Sequence, residues 1–459
     1  MRSFILGVDI GTTSVKVVLL EKSSKAIVES QVLPTKSDIA DGTRETNVKE
    51  QDPARIIGAL NQCMSQLSYD KLQHVCGIGV SGQMHGVLFW KGCNWTSDDY
   101  FNAEDCSQLI TWQDGRCSSS FLSSLPKPNS HLSVASGFGC ATIFWYMEHR
   151  SEFLKDFTVA GTIQDYVVSM LCGLEDCLMT PQNAASWGFF NCSSHQWNTD
   201  VLKAAGFPLR LLPRCVPSGG LAGHTCSNWH GIPTGTPVAA ALGDLQCAVY
   251  SCLSAQTDAV INISTSAQLA FTMPGDFKPA DSPEPASTIS YFPYFNSSYL
   301  AVAASLNGGN VLAAFVSMLS SWILELDAGV ALDECSVYEK LNCSAESQND
   351  SDLTVTPTIL GERHAPLSLG HVTNISTSNL SLGHVFRAIC RGVLDNLSSM
   401  MPAMQLRQGG VRRIVGSGSA LLRNAVLRQE VEKVYSLPVV YGQDADAAVG
   451  VAMVLCDRL

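Results

Sequence analysis

The feature that most constrains this chain is a β-hairpin pattern that occurs twice. Residues 4–20 alternate and then run apolar on both sides of a polar turn, and residues 259–271 repeat this arrangement around a second hydroxyl-rich turn. Apolar strands joined by a short polar turn predict a β-hairpin. Because the opening element recurs, we expect two halves of related fold with a boundary near residue 253.

The segments after the first hairpin predict an α/β fold. A third strand is expected at residues 26–34, a helix begins behind the Asp52 cap and the first-turn Pro53, and a further strand covers residues 74–81. Residues 412–442 again show strand, glycine turn, helix and strand, and a small-residue helix follows. Strands that alternate with helices are typical of α/β domains.

The length of the chain indicates more than one domain. At 459 residues it exceeds what one hydrophobic core usually covers. We therefore expect domains at 1–253 and 254–459 that face each other across a cleft. Two segments rich in Pro, Ser, Asn or Asp, 273–288 and 342–352, are predicted to be surface loops.

Composition excludes several classes of function. A net charge of −12 argues against a nucleic-acid partner, which would need a broad basic surface. The longest apolar region, 237–253, contains Asp244 and Gln246, so we expect no membrane span. The 17 scattered cysteines lack zinc-site spacing, and no secretory signal precedes them, so reduced thiols and a cytoplasmic location are predicted. The oligomeric state stays open.

The first turn carries the chemistry of a phosphate site. Small and hydroxyl-bearing residues let the backbone approach a phosphate chain and add hydrogen bonds to it. Asp9, directly before the turn, could hold a hydrated Mg²⁺ near those phosphates. An ordinary tight hairpin with Asp9 as a local cap stays an open alternative, and neither a P-loop nor a dinucleotide fingerprint is present. The proposed phosphate-binding residues of this turn are Gly11, Thr12, Thr13 and Ser14.

Further motifs extend this interpretation along the chain. The first turn resembles the phosphate loop of the superfamily that contains actin, sugar kinases and heat-shock ATPases. Over nearly its whole length the chain resembles the FGGY carbohydrate kinases. The elements that carry the resemblance are VDIGTTS at 8–14, VSGQMHG at 80–86, WQDGR at 112–116, GD at 243–244, STS at 264–266, GER at 361–363 and DAAVG at 446–450.

This resemblance implies a fold and a reaction. The fold would be α/β, with two actin-like (ribonuclease H-like) domains around a cleft, the sugar mainly on the first and ATP mainly on the second. The reaction would transfer the γ-phosphoryl group of MgATP to a primary hydroxyl of a ketose. Asp244 would be the catalytic base, at a helix start that favours its ionised form. A plain helix cap is the alternative, and Lys16 is interpreted as structural or solvated.

The resemblance also implies a sugar site on the first domain. A strand-end position and an aromatic face suit a polyol, because ligands bind at strand ends in open sheets and rings cover C–H groups. Without the resemblance, a strand-end Met-His pair would be assigned to the core. Arg116 is expected only to hold Asp114, and Asp165 is a weaker candidate. The proposed sugar contacts are Gln83, Met84, His85, Trp112, Asp114 and Asn183.

On the ATP side, the second turn and several glycines are implied. Relatives carry Gly where this chain has Ser264, so the geometry of that turn is open, since a non-glycine residue restricts positive φ. Asn424 is the candidate adenine contact. The proposed nucleotide residues are Thr265, Ser266, Gly309, Gly416, Gly418 and Asn424.

Three rival functions remain at this point. Another kinase of the family could act on xylulose, ribulose or glycerol. An actin-like or chaperone ATPase would need a peptide-binding domain or a polymer interface, and neither is evident in the sequence. A non-catalytic sugar-binding protein is disfavoured because Asp9, Thr13 and Asp244 are all present.

Overall fold

The computed structural model describes residues 3–39, 47–92, 100–284, 287–326, 333–348, 351–365, 367–442 and 445–458. Two halves follow each other along the chain. The strands of the first half are β1 (Phe4–Ile10), β2 (Ser14–Glu21), β3 (Ile27–Pro34), β4 (Glu50–Gln51), β5 (Val75–Gly82), β6 (Leu88–Trp90), β7 (Leu109–Ile110), β8 (Val159–Gly161), β9 (Leu178–Met179), β10 (Phe190–Asn191), β11 (Gln196–Trp197), β12 (Arg214–Cys215), β13 (Leu221–His224), β14 (Pro237–Ala239) and β15 (Leu242–Gly243). Its helices are α1 (Pro53–Ser65), α2 (Tyr69–Leu72), α3 (Ser119–Ser124), α4 (Gly139–His149), α5 (Ile163–Cys172), α6 (Pro181–Trp187), α7 (Thr199–Ala204) and α8 (Asp244–Cys252), with 3-10 turns at Ser151–Asp156 and Leu209–Leu211.

The second half begins with the repeated hairpin. Its strands are β16 (Asp258–Ile263), β17 (Ala267–Thr272), β18 (Ile289–Pro293), β19 (Tyr299–Ser305), β20 (Thr354–Thr356), β21 (His371–Thr373), β22 (Arg413–Ser417) and β23 (Val439–Tyr441). Its helices are α9 (Gly309–Glu325), α10 (Glu334–Glu346), α11 (Leu382–Met400), α12 (Ala403–Gln408), α13 (Ser419–Arg423), α14 (Ala425–Tyr435) and α15 (Ala447–Arg458).

The two central sheets share one plan. The first has the strand order β13-β14-β5-β1-β2-β3, with β15 also paired to β5, and the second has the order β18-β19-β17-β16-β22-β23. In each sheet the opening strand pairs antiparallel with its hairpin partner and parallel with a later strand, β1 with β5 and β16 with β22. The predicted repeat and the α/β fold of two actin-like halves are therefore confirmed.

Local sequence signals explain several boundaries. The Asp52 carboxylate accepts a hydrogen bond from the Ala54 N–H (2.9 Å), and Pro53 opens α1, as the sequence predicts. The predicted loop at 342–352 is partly wrong, because α10 continues to Glu346. Residues 349–350 of that segment, and 285–286 of the predicted loop at 273–288, lie outside the described residues. Among the described residues, no helix combines the length and apolar character that crossing a bilayer requires.

Each sheet has its own hydrophobic core. In the first half, Val8 and Val17 of the hairpin pack in one cluster with Leu60 of α1 and Val167 of α5. A second cluster covers the other sheet with side chains from α9, α11 and α14. A third cluster lies under α4 and α6 and includes Tyr299 of the second half. These cores fix the two walls between which a cleft can form.

A fourth core is shared by both halves. Helix α15, which belongs to the second half by sequence, packs on the first sheet, where a Cβ at Gly7 would lie 2.0 Å from the Ala448 carbonyl oxygen. Tyr250 of α8, a helix of the first half, packs edge-on against the ring of Phe295 of the second half. The two helices touch so closely that a Cβ at Gly450 would lie 1.8 Å from the Cys247 carbonyl oxygen. The halves are thus joined by two crossing helices.

Candidate active site

The first hydroxyl-rich turn lies between β1 and β2 and is held by hydrogen bonds from other residues of the first half. The Gly11 N–H donates to the Ser14 carbonyl oxygen (3.0 Å) and closes the turn. The Gln51 side chain donates to the Thr12 carbonyl oxygen (2.7 Å), and the Trp112 indole N–H donates to the Thr12 hydroxyl (3.0 Å). These contacts fix the conformation of the turn.

The second turn lies between β16 and β17 and is held by the start of α9. The Gly309 N–H donates to the Ser264 carbonyl oxygen (2.8 Å), and the Asn310 N–H donates to the Thr265 carbonyl oxygen (3.0 Å). A Cβ at Gly309 would lie 2.3 Å from the Ser264 oxygen, so glycine is required there by close approach. Ser264 is not among the residues with positive φ, and the turn accommodates serine without backbone strain.

Both turns face one large cleft. Its volume is about 1170 Å³, and its walls come from both halves of the chain. Thr12 and Thr13 reach it from the first half, and Thr265 and Ser266 reach it from the second. His85 and Trp112, which the sequence assigns to the sugar, line the same space. The structure therefore brings the predicted phosphate turns and part of the predicted sugar site together.

Two aspartates meet beside the turns. Asp9 is the penultimate residue of β1, Asp244 begins α8, and both line a smaller cavity of about 270 Å³. The Asp9 carboxylate accepts a hydrogen bond from the Ser81 hydroxyl (3.0 Å), and the Asp244 carboxylate accepts one from the Leu245 N–H (2.7 Å). Burial, together with the charge of Asp244, raises the pKa of Asp9 to about 7, and burial raises the pKa of Asp244 to about 6.

This acidic pair fits a hydrated divalent cation. Two enclosed carboxylates at short range disfavour their own ionised forms, and a cation between them would reverse that effect. Among the described residues, no group of three His, Cys, Asp or Glu side chains could chelate a metal ion. Mg²⁺ needs only one or two carboxylates because it keeps most of its water ligands. Asp9, with Asp244 beside it, therefore suits a hydrated Mg²⁺ better than a cation that requires a full protein cage.

Replacing Asp9 with Asn is expected to stabilise the metal-free protein at pH 8 and not at pH 4. Because the folded-state pKa of Asp9 is raised from 3.8 to about 7, the folded state binds this proton more tightly, and stability falls as pH rises through that window. The gain at pH 8 should be roughly 1–3 kcal/mol, since each pKa unit corresponds to about 1.4 kcal/mol and the pair partly contacts water. Thermal unfolding at both pH values measures it. Added Mg²⁺ should stabilise the wild type more than the variant, and equal stability of the two proteins at both pH values would contradict the account.

The strand-end residues Gln83, Met84 and His85 differ in exposure. Gln83 is buried and donates through its amide to Gln51 (3.0 Å), and Met84 is buried against Gly243, so neither lines the large cleft. His85 does line it, with its ring 4.5 Å from Phe138 in a stacked arrangement. Burial lowers the pKa of His85 to about 4, so its imidazole is neutral.

Two other predicted sugar residues are buried and hydrogen-bonded within the protein. The Asp114 carboxylate is fully enclosed and accepts hydrogen bonds from the Lys49 N–H (2.8 Å) and from the Arg116 side chain (2.7 and 3.0 Å). Asn183 is also fully buried and donates to the Ala241 carbonyl oxygen (3.3 Å). Asp165, the weaker candidate, is buried in a capping box with Thr162. None of these side chains lines the large cleft.

The predicted nucleotide residues of the second half also separate into two groups. Gly418, with φ of +95°, lines a cavity of about 400 Å³ together with Ser14 and Ser264. Gly416 instead allows close packing, since a Cβ there would lie 2.5 Å from the Tyr441 ring. Asn424 is fully buried, and its side chain caps α14 by accepting from the Leu427 N–H (2.9 Å). Gly418 thus lines a cavity, whereas Gly416 and Asn424 are packed inside the second half.

Sequence reasoning missed Gln51 and the ion-pair partner of Lys16. Gln51 bridges Thr12 and Gln83 from a two-residue strand that has no sequence signature. Lys16 forms an ion pair across the halves with Asp446, whose other carboxylate oxygen accepts from the Val449 N–H (3.1 Å). The DAAVG motif marks Asp446, but its partner becomes visible only in the fold.

Comparison with known proteins agrees with this geometry. The FGGY family of carbohydrate kinases matches by its N-terminal domain over residues 4–251 and by its C-terminal domain over residues 282–456. The chain is 55% identical to a sedoheptulokinase from Mus musculus and 54% identical to one from Homo sapiens, in each case over 100% of this chain and 98% of the relative.

Solved structures show the same fold. A xylulose kinase from Rhodospirillum rubrum superposes with a TM-score of 0.79 at 19% identity, over 98% of this chain and 89% of that one. A glycerol kinase from Plasmodium falciparum, solved with ADP, gives a TM-score of 0.74 at 16% identity over 99% and 89%. With two related sheets, two facing turns and both family domains matched, the chain belongs to the FGGY family of carbohydrate kinases.

Proposed function

We propose that this chain transfers the γ-phosphoryl group of MgATP to a primary hydroxyl of sedoheptulose and forms sedoheptulose 7-phosphate, which would supply the pentose phosphate pathway. The observation that carries the proposal is the pair Asp9 and Asp244, enclosed beside a cleft that both hydroxyl-rich turns line. The choice of sugar is supported by the two relatives named sedoheptulokinase, which match over the whole chain.

Asp244 is the proposed base. Its raised pKa of about 6 leaves it ionised at neutral pH yet able to accept a proton from the attacking hydroxyl. Phosphoryl transfer has a loose transition state, so the main task of this carboxylate is to orient the hydroxyl in line with the transferred group. Its position at the first residue of α8 suits this task, because the helix start fixes the carboxylate.

The other proposed ligand contacts come from residues that line the cleft or lie next to it. Asp9 is proposed to hold a hydrated Mg²⁺, which when bound would offset the negative charge of the phosphate chain. His85 and Trp112 are proposed to contact the sugar from the first half, with Gln83 and Met84 packed behind them. Asp114, Asn183, Gly416 and Asn424 are proposed to act as structural supports. The phosphate chain is proposed to bind Gly11, Thr12, Thr13, Ser14, Thr265, Ser266 and Gly418, with Gly309 holding the second turn.

Two further properties belong to the same proposal. The described cysteines are free thiols, which supports a reducing compartment such as the cytoplasm. We also propose domains at 1–253 and 254–459, since α8 ends at Cys252 and the second sheet begins at Asp258.

A sugar panel tests the function directly. ADP release should be measured with sedoheptulose, xylulose, ribulose, fructose and glycerol, and phosphorus NMR should locate the phosphate on the product. We expect the highest kcat/KM with sedoheptulose and a phosphate on carbon 7. A preference for xylulose would keep the family and overturn the proposed sugar. ADP release that does not depend on any sugar would overturn kinase activity itself.

A further inference from the structure

An unpartnered arginine enters the large cleft from the second half. Arg363 follows β20 and lines the same space as His85 and Trp112 of the opposite wall. Among the described residues, its guanidinium has no hydrogen-bond or ion-pair partner, although the charge of Glu362 is nearby. Arg363 is exposed to the cleft, and desolvation by the surrounding walls lowers the pKa of its guanidinium. A guanidinium that lines a cleft and has no partner among the described residues is available to a ligand.

The loop that carries Arg363 is firmly held by its neighbour. The buried Glu362 carboxylate accepts hydrogen bonds from the Ser305 hydroxyl (2.5 Å), the Leu306 N–H (3.0 Å) and the side-chain amides of Asn307 and Asn396 (both 2.8 Å). Hydrogen bonds to a charged acceptor are among the stronger ones in proteins. Arg363 is therefore presented by a rigid base and not by a loose surface loop.

This base is continuous with the second phosphate turn. The Asn307 amide also donates to the Gly361 carbonyl oxygen (2.8 Å), and the next residue, Gly308, packs on Ser266 at a distance that excludes a Cβ. Arg363 and the second turn therefore belong to one rigid unit of the second half. A ligand that contacts Arg363 and the opposite wall would hold the two halves together.

The opposite wall offers the complementary hydrogen-bonding group. His85 Nδ1 lies 2.9 Å from the Ser186 carbonyl oxygen, which only accepts, so Nδ1 carries the hydrogen. Because the ring is neutral, Nε2 is an acceptor, and burial together with the charge of Arg363 keeps it so. A sugar hydroxyl both donates and accepts. An acceptor on one wall and fixed donors on the other therefore suit a polyhydroxylated chain.

We propose that Arg363 is a specificity-determining residue of the sugar site, which donates hydrogen bonds from the second half to hydroxyls of the ketose chain while His85 accepts from the first. This inference rests on the proposed function and deepens it, because it requires a sugar long enough to contact both walls. A phosphate contact of Arg363 with ATP is the competing role, and the kinetic test separates the two.

The test compares Arg363→Met and Arg363→Lys with wild-type full-length protein, and uses Arg412→Met, an exposed arginine, as the matched control. Initial rates are measured against sedoheptulose at saturating ATP and against ATP at saturating sugar. We expect Arg363→Met to raise KM for sedoheptulose by about 10- to 100-fold, since a charged donor contributes roughly 1.5–3 kcal/mol. KM for ATP and the melting temperature should change little, and the control should match wild type.

The lysine variant keeps the charge but loses the planar set of donors, so its KM for sedoheptulose should lie between wild type and Arg363→Met. The ratio of kcat/KM for sedoheptulose to that for xylulose should also fall in Arg363→Met, because the shorter chain depends less on the far wall. An unchanged KM for sedoheptulose in both variants, or a rise in KM for ATP instead, would overturn the inference. A wild-type protein that does not phosphorylate sedoheptulose would overturn the proposed function first.

Discussion

Replacing Asp244 with Asn is expected to lower kcat by about 10²- to 10⁴-fold, the range that a positioned general base usually contributes. Asparagine keeps the shape of the side chain and can still accept from the Leu245 N–H, but it cannot take the proton of the attacking hydroxyl. KM for ATP should change little, because the two hydroxyl-rich turns are separate from this side chain. Coupled ADP release with sedoheptulose as the sugar measures both constants.

A matched control separates charge loss from catalysis. Asp457→Asn removes a carboxylate at the surface, where it pairs with Lys25 and accepts from the Tyr250 hydroxyl (2.7 Å). This variant should keep the wild-type kcat, because an exposed ion pair contributes little to stability and Asp457 does not line the cavity of the acidic pair. An Asp244→Asn enzyme that retains a tenth or more of kcat would show that the chemical step does not need this carboxylate.

Replacing Gly450 with Val is expected to prevent stable folding. Its Cβ would lie 1.8 Å from the Cys247 carbonyl oxygen, and both partners are helix backbone that cannot rotate away. Overpacking in a core usually costs about 1–3 kcal/mol, and a clash that forces two helices apart exceeds that range. We expect insoluble protein or a melting temperature lowered by more than 10 °C, roughly the shift for several kcal/mol. Soluble yield and thermal unfolding measure this.

Gly58→Ala is the control for the glycine substitution. Gly58 lies in the middle of α1, and nothing lies within 4 Å of the position of an added Cβ. Alanine should stabilise the helix by roughly 0.5–1 kcal/mol because it loses less backbone entropy on folding. A Gly450→Val protein as stable as Gly58→Ala would contradict the close contact between α8 and α15.

Local patterns were sufficient to predict most of the fold. The hairpin turns, the Asp52 cap and the helix that begins at Asp244 depend on residues near each other in sequence, so spacing alone reveals them. The repeated hairpin further predicted two related sheets, which the strand orders confirm. The parallel pairing of β1 with β5 was not predicted, although an intervening helix is compatible with a parallel neighbour.

The roles of individual polar residues were harder to predict from the sequence than the fold was. Asp114 is a polar residue in a motif, yet whether it faces a ligand depends on the Lys49 backbone, 65 positions away, which supplies one of its donors. Asn424 resembles a ligand contact until its capping bond to the Leu427 N–H is visible. Arg363 shows the converse, since its motif is recognisable in the sequence, but its place in the wall of the cleft depends on the assembled fold. Whether a buried polar group finds a hydrogen-bond partner depends on tertiary contacts and not on the local sequence.

The crossing of α8 and α15 has a consequence for synthesis of the chain. One face of the first sheet is covered by a helix that is translated only after the whole second sheet, so that face stays open on the ribosome until then. Apolar strands whose packing partner lies far away along the chain fold slowly and are prone to aggregate. The first half therefore completes the packing of this face only after α15 has been translated. The dependence of expression on chaperones should therefore increase with the time that passes before α15 is translated. It should not depend on the stability of the folded enzyme.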